Sequence, residues 1–204
     1  MSTAMLSRLQ IGPADHDLSI TEEDFDSAEF EEGFLYEIIE GKVYVSPLPN
    51  YPEAYLESWM LQKLFGYSAQ HPGVISWISN KTRVYVRGKK KPTVPEPDIS
   101  CYTDPMPDVP LREIRWWDMS PIIVAEILVD NDPKKDLVRN VDLYFQVPSI
   151  AEYWVLDGRD NPDQPTLIAR KRSGKKWIVT TVPYAGTYTT STLPDFQLLI
   201  DPRR

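Results

Sequence analysis

The sequence predicts an α/β (α+β) chain, with helices beside a covered sheet and a β-rich C-terminal extension. Three observations predict it. Residues 122–129 are apolar on both faces, as a strand covered on both sides requires. Leu56, Met60, Leu61 and Leu64 recur at helical spacing within 53–65. Beyond residue 160, β-branched and aromatic residues gather in short runs at 166–170, 177–181 and 196–200.

Taken in order, residues 1–18 lack periodicity and are expected to form a flexible N-terminal arm. A helix is expected to start at Thr21, with Asp24 placed to reach back to that cap. Residues 35–40 and 42–46 read as a hairpin turning at Glu40-Gly41. Pro47, Pro49 and Pro52 then break the chain before the 53–65 helix, which Gly66 and Gly73 are expected to end. Strands are expected at 74–79, 82–87, 98–102 and 122–129, then a helix from 132 to about 145 with Asp132 as cap and Pro133 in its first turn. Residues 152–157 complete the central strands. No repeat or linker divides 19–204, so a single domain is expected.

Composition excludes several classes. At 204 residues, with 42% hydrophobic and 25% charged residues, the chain can build a core without disulfides. Its longest apolar runs are about half of a bilayer span. No stretch near the start reads as a leader, so a cytoplasmic location without a membrane partner is expected. A single cysteine, Cys101, excludes an internal disulfide framework and a cysteine zinc cage. Two histidines, His16 and His71, argue against histidine-rich metal sites and most acid–base triads.

The net charge of −8 argues against a polyanionic partner only until it is mapped. Residues 1–60 hold 13 acids and two bases, and the other 144 residues hold 17 acids and 20 bases. Residues 81–91 contain six bases and no acid, and 170–176 contain five and none. Local patches matter more to nucleic acid than the total does. On an alternating strand, Lys81, Arg83, Tyr85 and Arg87 would share one face. With Lys89, Lys90 and Lys91 they form the expected DNA contact, or else a basic edge that blocks aggregation. The pair Trp116-Trp117 reads as loop packing.

Two acids carry the chemistry. Glu126 interrupts an apolar strand, and a buried carboxylate costs several kcal/mol unless it is paired, protonated or metal-bound. The bland reading is a strand-end acid meeting an arginine or solvent. Asp98 follows Pro97 at a strand start, where a turn-forming aspartate is also common. If the two strands are neighbours, about 4.8 Å apart, both side chains can meet on one face. Carboxylates that close repel unless a cation bridges them, and Mg²⁺ (or Mn²⁺) suits hard oxygen ligands. The carbonyl of Ile127 could add a third ligand.

An aspartate after proline, then a glutamate inside an apolar strand, resembles the PD-(D/E)xK nuclease pattern. More closely, the chain resembles the Uma-two family of restriction-endonuclease-like proteins over about residues 18–160. The resemblance rests on Glu22-Glu23-Asp24-Phe25, Tyr36–Lys42, Ser46-Pro47-Leu48-Pro49, Pro97-Asp98, Val124–Leu128, Lys135-Asp136-Leu137 and Glu152–Asp157, in that order. It implies a restriction-endonuclease-like core, a mixed central sheet flanked by helices, and metal-dependent cleavage of DNA. By the same resemblance Glu37 joins Asp98 and Glu126 as a catalytic acid. A homodimer is the expectation by analogy with restriction-type nucleases.

The chain departs from the pattern twice. Leu128 stands where the nuclease pattern has lysine, and Asn140 stands where the family has lysine four residues before the tyrosine matched by Tyr144. Lys134 and Lys135 are the replacements expected here, with Arg139 nearby. Cations in a helix's first turn oppose its dipole, which suits an anion-facing role, although an exposed basic turn explains them as simply. Glu53 stands where the family often has histidine. Three readings follow: a Mg²⁺-dependent DNA endonuclease, a weakened relative kept as a nucleic-acid-binding or protein-interaction module, and a carboxylate-pair glycosidase.

Overall fold

A computed structural model describes residues 8–80, 82–103, 109–129 and 133–204. The chain divides into two compact units, one of residues 1–48 and 86–96, the other of residues 49–85 and 97–204. It passes between them after residues 48, 85 and 96. A division crossed three times leaves no single linker for the sequence to reveal. No described helix is long and apolar enough to cross a membrane.

In the first unit, β1 (Gln10–Ile11) pairs in parallel with β2 (Glu29–Phe30). This corrects the second half of the expected arm. Ile11 is buried, and the Asp17 N–H donates to the Val43 carbonyl at 2.8 Å. The helix α1 (Glu22–Ser27) starts at the expected cap, where Thr21 Oγ1 accepts from the Asp24 N–H at 3.1 Å. The expected hairpin forms from β3 (Phe34–Ile39) and β4 (Lys42–Pro47). Glu40 and Gly41 have φ of 51° and 75°, which matches a two-residue turn of the primed type. The 86–96 segment adds one bridge, the Val94 N–H donating to the Ile38 carbonyl. Phe25, Phe30 and Tyr36 pack ring against ring as a small core.

The second unit is built on six strands: β5 (Trp77–Ser79), β6 (Ile99–Tyr102), β7 (Ile123–Leu128), β8 (Glu152–Asp157), β9 (Thr166–Ser173) and β10 (Lys176–Val182). Their spatial order is β10-β9-β8-β7-β6-β5, so the apolar run at 122–129 does form an interior strand. Only β7 and β8 pair in parallel, and a helical crossover joins them, as parallel neighbours require. The helix α2 (Tyr51–Gln70) lays Leu56, Met60 and Leu64 against Ile123, Ala125 and Ile127 of β7 and Trp154 and Leu156 of β8. A further hairpin, β11 (Thr187–Thr190) with β12 (Leu193–Leu199), adds Tyr188, Leu193, Phe196 and Leu198 to this core.

Other expectations are corrected here. The helix α2 runs through Gly66 to Gln70, because Tyr67 is buried with its hydroxyl on the Pro194 carbonyl (2.9 Å) and its ring against Phe196. That packing outweighs the helix penalty of glycine, about 1 kcal/mol. The crossover is helical from Pro133 to Phe145, as expected, with a π-helical turn at Lys135–Arg139 that continues as α3 (Asn140–Phe145). Asp132, the expected cap, lies outside the described residues. The strand expected at 82–87 does not form. Thr82, Val84, Tyr85 and Val86 are all buried, and Tyr85 meets the edge of Trp117 at 5.3 Å. An alternating row of Arg83, Tyr85 and Arg87 is therefore absent. The loop tryptophans pack as expected, with Trp116 stacked on Trp77.

The basic stretch 170–176 largely serves the fold. Arg172 donates to the carbonyls of Tyr144, Phe145, Val147 and Ile150, closing the C-terminal end of α3, with its guanidinium over the rings of Phe145 and Trp177. Arg170 is buried against the Tyr153 ring. Lys171 lies 4.0 Å from Glu152, whose buried carboxylate also accepts from Trp154, Tyr188, Thr190 and Thr192. Replacing Arg172 with Met strands several carbonyls, so urea unfolding should show a loss of about 2–4 kcal/mol. Replacing the exposed Lys175 with Met should change stability by less than about 0.5 kcal/mol.

Candidate functional site

Glu126 sits inside β7, and Asp98 immediately precedes β6. These strands are antiparallel neighbours, with Ile99 opposite Ala125, Ser100 opposite Val124 and Cys101 opposite Ile123. One further step of this register sets Asp98 opposite Glu126. Residues 123, 125 and 127 face α2, so alternation turns Glu126 to the other face of the sheet.

Neutral donors hold both carboxylates. Asp98 Oδ2 accepts from the Ile127 N–H at 2.6 Å. Glu126 Oε1 accepts from Asn140 Nδ2 at 2.9 Å and from the Tyr144 hydroxyl at 2.8 Å, and Oε2 lies 3.4 Å from the Asp98 amide nitrogen. Asn140 also donates to Asp136 Oδ1 at 3.1 Å, so one amide ties two buried acids together. The backbone carbonyl of Asp136 in turn accepts from the Tyr153 hydroxyl. Asp136, Asn140 and Tyr144 recur every four residues, which keeps them near one face of the crossover helix.

Electrostatics mark Asp98 as the strained member. Its carboxyl is held well above the usual range, first by removal of water and then by the charge of Glu126. Lys135 and the Ile127 N–H pull it back, and Glu57 pushes it further up. Glu57 is buried on α2 and accepts from Asn80 Nδ2 at 3.0 Å. The Tyr153 hydroxyl is likewise raised, by burial and then by Glu126 and Asp136.

The structure thus gathers Asp98, Glu126 and Lys135. Lys134 is exposed on the same turn. Glu37 belongs to the other unit, where it is buried and accepts from the Glu96 N–H at 3.0 Å. The expected DNA contacts divide as well. Arg83 is half-buried in the second unit, while Arg87, Lys89, Lys90 and Lys91 belong to the first, with Lys89 paired to Glu40 at 2.8 Å. Lys81 lies outside the described residues. Sequence reasoning missed Glu57 and the bridging role of Asn140. Glu53 and Glu57 flank Leu56 on the apolar stripe of α2, and both are buried, so that pattern carried a usable signal.

Among the described residues, no three His, Cys, Asp or Glu side chains gather as a metal-holding group. Asp98 and Glu126 instead form a two-carboxylate set. That suits Mg²⁺ or Mn²⁺, since Mg²⁺ commonly binds through one or two carboxylates and retains several waters. N–H and O–H donors to both carboxylates orient the pair, as outer-shell partners of metal ligands do. The residues therefore fit a hard divalent cation.

A carboxyl whose folded-state pKa is raised costs the fold stability at pH values above its unfolded pKa, in full once pH exceeds the folded pKa. The cost shrinks as pH falls through the folded pKa and is gone below the unfolded one. Asp98→Asn keeps an acceptor for Ile127 and removes the repulsion. At pH 7 in chelator it should melt higher than wild type, by an amount equivalent to about 1 kcal/mol or more. Tyr144→Phe, which removes a donor from buried Glu126, should melt lower by about 1–3 kcal/mol. An Asp98→Asn protein less stable than wild type would contradict this reading of the pair.

The Uma2 family model, described as "Putative restriction endonuclease", matches residues 22–201. A solved structure titled as that of "a putative nuclease belonging to DUF820 from Anabaena variabilis ATCC 29413" superposes with a TM-score of 0.68 at 17% identity, covering 89% of this chain and 95% of that one. No curated protein matches the sequence.

Proposed function

Because the chain belongs to the Uma2 (Uma-two) family, a nuclease-like family of restriction-endonuclease type, we propose that it is a metal-dependent endonuclease hydrolysing phosphodiester bonds of DNA. The observation that carries the reading is the Asp98–Glu126 pair, set opposite on adjacent strands with the charge of Lys135 acting on it. Mutual repulsion is then a feature of the resting site that a bridging cation offsets.

In this reading Asp98 and Glu126 hold Mg²⁺ or Mn²⁺, with the Ile127 carbonyl available as a further ligand. An ion held there would supply Lewis acidity toward the phosphate and would lower the pKa of a water so that it can lose a proton near neutral pH. Asn140 and Tyr144 fix the orientation of Glu126 and touch no substrate. Lys135 donates to the attacking water or to the phosphate oxygens as negative charge grows there. The water gives up a proton to bulk solvent as its oxygen bonds to phosphorus and the opposite phosphorus–oxygen bond breaks, and the departing oxygen takes a proton from solvent. Lys134 is the weaker candidate for the same role, and Glu37 is the further acid that the family pattern adds. Arg87, Lys90 and Lys91, exposed in the first unit, provide phosphate contacts, with Arg83 and Lys89 less available. A homodimer would let two such sites cut both strands.

A second reading has its own support. Leu128 stands at one lysine position, and Asn140 at the other is fully engaged by Glu126 and Asp136. A protein that binds DNA and cleaves it poorly would carry these substitutions.

Supercoiled plasmid separates the two. With Mg²⁺ or Mn²⁺, wild type should nick, and Asp98→Asn and Glu126→Gln should not. Lys135→Met should lose about 10²–10³-fold, the usual effect of removing one electrostatic stabiliser, and Lys134→Met much less. Nicking by wild type no faster than by both carboxylate variants would overturn the endonuclease reading. Salt-dependent DNA binding without nicking would then support the binding module, since each neutralised phosphate steepens the salt slope by about 0.9.

A further inference from the structure

The six-stranded sheet ends in two unlike edges. At one edge, β5 is three residues long. At the other, β10 is seven residues long and pairs with β9 along its whole length without a bulge. Its outer side has no strand partner among the described residues. Its sequence, KWIVTTV, is β-branched and aromatic, with no proline, no glycine and one charge at its end. Ile178 and Val179 point to opposite faces and are 47% and 54% exposed. Edge strands are normally guarded by shortness, charge, proline or a bulge. β10 has only Lys176.

From this we infer that β10 pairs with β10 of a second copy of the chain, antiparallel about a two-fold axis at Val179, to give a continuous twelve-stranded sheet. Unpaired backbone donors and acceptors along an edge are satisfied best by another strand. In this arrangement Val179 meets Val179, Ile178 meets Thr180, and Trp177 meets Thr181. Each pair is apolar or β-branched, the kind that stabilises strand contacts.

Charge selects the partner and the direction. A parallel arrangement would set Lys176 against Lys176. The antiparallel one sets it opposite Val182, on the face shared by residues 176, 178, 180 and 182. Ile178, Thr180 and Val182 on that face line a cleft of about 470 Å³ that Asp195 also lines. Neither Lys176 nor Asp195 makes an ion pair among the described residues. The two-fold arrangement sets each lysine on the face where the partner's cleft carries an acid. A strand of another protein would need the same uncharged centre and a basic end, which the chain itself already provides. This contact does not depend on the nuclease reading.

Sedimentation of the full chain, without DNA or metal, tests it. Wild type should run as a dimer at tens of micromolar, and Val179→Lys as a monomer with an unchanged far-ultraviolet spectrum. Val179→Cys should form an intermolecular disulfide on mild oxidation, because directly opposed Cβ atoms lie about 4.5–5.5 Å apart. The native Cys101 is buried, with its thiol pushed up to about 12, and gives little background. A monomeric wild type at 100 micromolar, a dimer that survives Val179→Lys, or failure of Val179→Cys to cross-link would overturn the pairing.

Discussion

A carboxylate in the middle of an interior strand must be compensated, and the second unit is arranged around that requirement at Glu126. Leaving it unpaired would cost several kcal/mol. Three helix residues supply part of the answer, since Asn140 and Tyr144 donate to it and Asp136 fixes Asn140 from behind. These contacts depend on the crossover helix lying over β7 and β8, and Arg172 closes the far end of that helix by gathering its carbonyls. A basic residue on β9 thereby helps to position a carboxylate two strands away in sequence order.

Compensation by neutral donors is incomplete. Two acids opposite one another, a third in Asp136 and a fourth in Glu57 leave the region rich in negative charge, with Lys135 acting against it. A site that is unfavourable when empty and favourable with a divalent cation is a common arrangement for binding ions that carry catalysis. The same imbalance explains why the acidic total charge does not exclude a polyanionic substrate. Part of it is concentrated where a metal would offset it.

Much of this was legible in the sequence, for identifiable reasons. An apolar run broken by one acid pointed to β7 and to Glu126 together, because a buried carboxylate is too costly to be incidental. The Glu40-Gly41 turn and the Thr21 cap were legible because their chemistry is local. What escaped depends on distant partners. Burial of 82–86 comes from packing such as Tyr85 on Trp117, which no alternation pattern contains. The helix α2 outlasts Gly66 because Tyr67 finds Phe196 and Pro194 far along the chain. The stretch 170–176 resembled a polyanion patch in composition, but Arg170 and Arg172 are spent on aromatic rings and carbonyls. Lys135 and Lys134 could be separated only once the π-helical turn and the position of Asp98 were known.

The central claim is that Asp98 and Glu126 together hold one divalent cation. Anomalous diffraction from crystals soaked in Mn²⁺ tests it directly. The account predicts a single strong peak about 2.0–2.2 Å from one carboxylate oxygen of each residue. A map without a peak between them at saturating Mn²⁺, with both carboxylates still hydrogen-bonded as described, would contradict it.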